Sequence, residues 1–299
     1  MNTKIKSICL HSVLLFVLLH FVSCGSRPNR SDERSKHIVV SILPQKYILE
    51  SLVDSTYTVS VLMPPGANHT NFEPSPSLLT ELSKSDILFT LGLFDYEKLW
   101  QDNFLSINKD ILIASTSDNY SQLITDSMRG GKQFIDPHIW LSTSGIRQIS
   151  SNMLYVLSEF YPEDKMVFAK NFKEFEIRLF ATDSLINKAV ADNDVKGFVI
   201  FHPSLTYYSA DYNLEQISIE KDGKEPSISY LNNVIETAKS KKYYNVLVSK
   251  QFDTKQAYVV AEQINGTVHE FDPMKENIVD NLLYITSLIT NDSTIKSKK

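Results

Sequence analysis

The chain has 299 residues, 30 Lys+Arg against 35 Asp+Glu for a net charge of −5, and two cysteines. A 42% hydrophobic and 22% charged composition excludes a disordered chain, the acidic balance leaves no basic footprint for nucleic acid, and two cysteines build neither a disulfide framework nor a four-cysteine zinc site. One large domain or two lobes of about 130 residues fit this length.

Residues 1–23 read as a secretory signal: Lys4 and Lys6 precede an apolar run over 8–22, too short for a confident membrane span. The run ends in Phe21-Val22-Ser23-Cys24-Gly25, which resembles a bacterial lipobox and makes Cys24 the expected lipidation site. Plain secretion with a chance cysteine is the alternative. Loss of the signal removes Cys9, Lys4, Lys6 and two histidines, leaving 28 basic against 35 acidic residues and five histidines, at 37, 69, 138, 202 and 269. Residues 24–36 are polar, without hydrophobic period, and read as a tether.

From residue 37 the pattern alternates between strand and helix. Residues 37–43 predict a buried strand, and Pro44 opens a helix through Val53. A β-branched strand over 57–63 is stopped by Pro64-Pro65-Gly66; a helix over 75–84 leads to strands at 86–91 and 111–114. These elements make an N-terminal lobe over 37–161. Residues 162–192 lack any Gly or any Pro after Pro162, and their apolar positions recur at helical spacing. A single helix of that length is roughly 45 Å long and links two lobes; the alternative is a packing helix broken near Thr182-Asp183. The C-terminal lobe, 193–299, repeats the scheme with strands at 197–201, 215–219, 246–248 and 267–271 and helices at 204–211, 227–240, 254–265 and after Pro273. The expected fold is therefore α/β, two βα lobes with mainly parallel sheets joined by one long α-helix.

Open α/β sheets bind ligands beyond the carboxyl ends of their strands. His202 and Asp272 each directly follow a predicted strand, His69 lies six residues past Met63, and His138 sits before a predicted helix in Phe134-Ile135-Asp136-Pro137-His138-Ile139-Trp140-Leu141. A lone loop histidine is usually solvated or a cap; His37 reads as the start of its strand, and His269 as pointing away from the core. Three histidines and a carboxylate at such positions suggest a shared site between the lobes.

The motifs resemble the zinc- and manganese-binding solute-binding proteins of ABC transporters over most of 37–290. Asp136-Pro137-His138-Ile139-Trp140-Leu141-Ser142 is similar to that group's metal-binding Asp-Pro-His-x-Trp-Leu signature. Pro65-Gly66-Ala67 with Phe72-Glu73-Pro74-Ser75-Pro76 resembles the first-ligand segment, and Phe201-His202-Pro203 with Tyr207-Tyr208 and Asp211-Tyr212 the third. Gln251-Phe252 and Asp272-Pro273 resemble the last two motifs.

The resemblance implies metal ligands at His138, His202 and Asp272. The family's first histidine falls here on Thr70, with His69 one residue earlier; either the loop is shifted and His69 binds, or the site has one protein ligand fewer. We take His69 as the first ligand, with Glu73 and Thr70 as substitutes and Asp136 as the carboxylate orienting an imidazole. Residues 117–135 hold no histidine, so the His-rich loop of many zinc-type relatives is absent. Three imidazoles and one carboxylate suit Zn2+ better than Mn2+, which prefers more oxygen. The implied protein is no enzyme. It is a monomeric, extracytoplasmic lipoprotein on a bacterial membrane that captures the ion for an ABC permease and its ATPase. A surface adhesin or a haem or siderophore binder on the same scaffold is the alternative reading. A zinc hydrolase lacks support, since neither His-Glu-x-x-His nor a nucleophile elbow occurs.

Overall fold

The computed structural model describes residues 36–64, 66, 72–129, 132–220, 226–250 and 255–295, with the side chains of 126–134 excepted. The expected signal, Cys24, all of the tether but Lys36, His69 and Thr70 lie outside the described residues.

The first half of the chain runs β1 (Lys36–Val40), α1 (Leu43–Glu50), β2 (Tyr57–Val61), α2 (Pro76–Leu82), β3 (Ile87–Thr90), α3 (Asp95–Ile107) and β4 (Leu112–Ser115). These strands form a parallel sheet in the order β2-β1-β3-β4. A two-stranded antiparallel hairpin, β5 (Thr125–Arg129) and β6 (Lys132–Ile135), follows. A 3₁₀ turn at Ile139–Leu141 then leads into α4 (Thr143–Phe160).

The expected linking helix is unbroken through Thr182-Asp183: one 3₁₀ turn, Pro162–Asp164, enters α5 (Lys165–Asp192), 28 residues long. Without an internal Gly or Pro, nothing in this segment ends the helix. Phe168, Phe175, Leu179 and Ile186 repeat at helical spacing and are all fully buried, which sets the inward stripe of α5.

The second half runs β7 (Gly197–Ile200), α6 (Thr206–Asp211), β8 (Glu215–Ser218), α7 (Ile228–Lys241), β9 (Asn245–Ser249), α8 (Lys255–Ile264), β10 (Thr267–Phe271) and α9 (Ile278–Thr290). Its sheet is again parallel, in the order β10-β9-β7-β8. Read from its other edge this is the order of the first sheet, so each sheet has the same reversal of winding, between β1 and β3 and between β7 and β9.

Side chains alternate between two layers, as a strand's period of two requires. Val39 and Leu88 pack outward with Leu82 and Phe104, whereas Ile38, Val40, Ile87 and Phe89 face inward. In the second sheet Val199, Val246 and Val248 pack outward beneath α7 and α8, and Phe198, Ile200 and Leu247 inward. Both inner faces join one core with α4, α5 and α9. Sheets covered on both faces need apolar strands throughout, and that is what these sequences supply. Among the described residues no helix is long and apolar enough to cross a membrane.

Candidate metal-binding site

The site begins with a local turn. Asp136 and Pro137 follow β6, and the carboxylate of Asp136 accepts the backbone N–H of His138 at 2.9 Å while lying 2.7 Å from the imidazole Nδ1. Asp136 is 3% and His138 5% exposed, so a buried imidazole has its carboxylate two residues away. Burial pushes the Asp136 carboxyl up, but the neighbouring His138 and hydrogen bonds from that ring, the Thr206 hydroxyl and the His138 N–H outweigh it and hold the group below the usual carboxylate range.

Trp140, two residues on, is fully buried; its ring centroid is 5.1 Å from that of His138, and its indole N–H donates to the Pro273 carbonyl at 2.8 Å. The Asn281 amide donates to the Asp272 carbonyl at 2.8 Å, and the Asp272 carboxylate accepts the Met274 N–H at 2.9 Å. The Asp272-Pro273 step is thus fixed from α9 and from the Asp-Pro-His-x-Trp motif together. Ser142 then caps α4 by accepting the Gly145 N–H at 3.0 Å. A Cβ on Gly145 would sit 1.8 Å from the Ile139 carbonyl oxygen, so only glycine lets the turn after His138 pack against α4.

His202 arrives from the other lobe. It lies two residues past β7, and its Nδ1 is 2.8 Å from the Glu220 carboxylate, which lies two residues past β8. The parallel register pairs Ile200 with Ser218, and the Glu220 N–H continues the ladder by donating to the Phe201 carbonyl at 2.9 Å. That ladder carries Glu220 level with His202. The rings of His138 and His202 meet edge to face with centroids 5.4 Å apart. Each imidazole therefore has Nδ1 on a buried carboxylate, a contact that orients the ring and selects its tautomer.

The structure brings together His138, His202 and Asp136, and the Trp140–Pro273 bond ties the neighbouring Asp272-Pro273 step to the same motif. Among the described residues no group of three or more His, Cys, Asp or Glu side chains is gathered tightly enough to hold an ion. Glu73 is exposed just before α2, and among the described residues no hydrogen bond or ion pair joins it to the histidines. The chain re-enters the described structure at Phe72, whose ring packs on Tyr96 at 5.0 Å; Tyr96 stacks on Phe94 at 5.7 Å, and Phe94 leans on Trp140 at 5.7 Å. This aromatic row ties Phe72 to the His138 turn. His37 is buried against Ser60 and His269 is half-buried against Asn245, both within their sheets. Glu220 is the residue that sequence reasoning missed.

A two-lobe α/β scaffold joined by one long helix thus carries two carboxylate-backed imidazoles where its lobes meet. The family model described as zinc-uptake complex component A, periplasmic, matches residues 38–298. The chain is 22% identical over 305 residues to the high-affinity zinc uptake system protein ZnuA of Bacillus subtilis (strain 168), covering 95% of each. It is 24% identical over 275 residues to the metal ABC transporter substrate-binding lipoprotein SsaB of Streptococcus sanguinis, covering 86% of each. A crystal structure of ZnuA superposes with a TM-score of 0.80 at 30% identity, over 86% of this chain and 98% of that one. The chain belongs to the zinc-uptake component A family, the substrate-binding components of metal ABC transporters.

Proposed function

We propose that this protein captures Zn2+ outside the cytoplasm and hands it to an ABC permease driven by its ATPase. The observation that carries this reading is the pair His138 and His202, 5.4 Å apart across the lobes, each with Nδ1 on a buried carboxylate. Carboxylate-backed imidazoles are the arrangement that orients ligands for zinc. In this reading Asp272 and His69 supply the remaining ligands. Glu73 and Thr70 are the substitutes if His69 does not bind. Two or three imidazoles with one carboxylate favour Zn2+ over Mn2+.

In this reading the ion is cargo. Imidazole and carboxylate ligands bind a metal in their deprotonated forms, so uptake releases any protons they hold. A site filled by four protein ligands has no place for a substrate water, which fits carriage better than catalysis. Cys24, lipidated, holds the protein at the membrane beside the permease, and it works there as a monomer. The long α5, with no Gly or Pro inside it, favours small lobe motions over a wide hinge.

Native mass spectrometry of the chain from residue 36 onward, titrated with zinc and with manganese, tests the reading. One zinc per chain, retained against an excess of manganese, is the expected result. Absence of zinc binding, or preference for manganese, overturns it.

A further inference from the structure

α6 is a helix of six residues that begins four positions after His202, and it grips the His138 segment on both sides. At its start the Tyr207 hydroxyl donates to the Asp136 carbonyl at 2.7 Å and accepts the Ile124 N–H at 3.1 Å. At its end Asp211 accepts the Ser144 hydroxyl at 2.7 Å and the Ser144 N–H at 3.0 Å, capping α4 from the other lobe. Beside it the Tyr212 hydroxyl meets that of Thr143 at 3.0 Å and donates to Asp183 of α5 at 3.0 Å. Tyr207 and Tyr212 are both buried, at 2% and 6% exposure.

Asp136 orients the His138 ring, and Tyr207 fixes the backbone of Asp136. The element that holds this backbone thus follows directly from His202. We propose that Tyr207 is a positioning residue that sets the His138–His202 spacing across the lobes, so that the two imidazoles form a preassembled half-site to which the remaining ligands are added. This rests on the zinc-carrier reading. A rigid pair lowers the ordering cost of binding, because the relative freedom of two ligand-bearing segments is already lost in the metal-free protein.

Tyr207→Phe removes the hydroxyl and keeps the ring that packs on Tyr120 at 5.9 Å. Zinc affinity of the mature chain, measured by competition with a chromophoric chelator, is expected to fall about tenfold. In a His138→Ala background the same change is expected to have no further effect, because Tyr207 acts through the Asp136–His138 bond. Tyr208→Phe is the control: its hydroxyl also lies buried on α6 but bonds Thr286 of α9 at 2.8 Å, and its zinc affinity should stay within twofold of wild type. Asp211→Asn, which weakens the grip at the other end of α6, should move affinity in the direction of Tyr207→Phe and serves if that variant folds poorly. Unchanged affinity in Tyr207→Phe, or a tenfold loss that persists in the His138→Ala background, overturns the proposal while the carrier reading stands. Wild-type protein that binds no zinc overturns both.

Discussion

In the first sheet β1 and β3 diverge around Glu97; in the second β7 and β9 diverge beside His202. The windings are equivalent, and each offers the crevice where α/β sheets take ligands. In the first, Glu97 is 4% exposed and accepts the Ser41 hydroxyl and the N–H groups of Leu91, Gly92 and Phe94. Gln45 adds bonds to the N–H groups of Ser41 and Ile42 and donates to Thr116. That crevice is filled by the protein's own polar groups. In the second, β7 ends in an imidazole backed by Glu220 and facing His138. Topology supplies two equivalent places for a ligand; the side chains at the strand ends make one structural and give the other the imidazole pair on which the proposed site rests.

The comparison breaks first at the histidines. His138→Ala and His202→Ala are each expected to weaken zinc about 1,000-fold, roughly 4 kcal/mol, with the apo fold retained by circular dichroism. Equal affinity in both variants would mean that the second crevice is as structural as the first. Glu97→Ala should do the reverse. It leaves three backbone N–H groups without their acceptor, at about 1–3 kcal/mol each, so urea unfolding should show a loss of about 3 kcal/mol or more while the folded protein keeps its zinc affinity within threefold.

Glu220→Leu sharpens the account of the second crevice. It removes the carboxylate behind His202 and is expected to cost 10–100-fold in zinc affinity by calorimetry, with little change in apo stability. The smallest effect lies at the opposite end of the first sheet. Asp164 accepts the Tyr57 hydroxyl at 2.6 Å and pairs with Lys36; burial pushes its carboxyl up, but these partners outweigh it and hold the group below its ordinary 3.8. A lowered folded value stabilises the protein above the ordinary value and is lost as pH falls through the lowered one. Asp164→Asn should therefore lower the unfolding midpoint at pH 7 by under about 1 kcal/mol equivalent, the gap should close on acidification, and zinc affinity should not move.

Much of this arrangement is legible in the sequence because it is local. The strands announce themselves as β-branched runs, and α5 as a long stretch without Gly or Pro. His138 and its orienting Asp136 lie two residues apart within one turn. The α3 helix was harder to read: Leu99 on it is 78% exposed, which blurs the amphipathic stripe that Tyr96 and Phe104 define. The β5–β6 hairpin gave only a weak strand signal, since its two strands are largely polar. Glu220 had none. It lies 18 residues from His202 and meets it only through the β7–β8 register, which spacing along one chain does not encode. The Trp140–Pro273 bond spans 133 residues and was invisible for the same reason.

The most direct test of the central claim is zinc K-edge X-ray absorption on the protein loaded with one equivalent of zinc. The account predicts imidazole scattering from at least two histidines, with Zn–N distances of about 2.0–2.1 Å, reduced in His138→Ala and in His202→Ala. A spectrum with no imidazole contribution, or one that neither substitution changes, would contradict it.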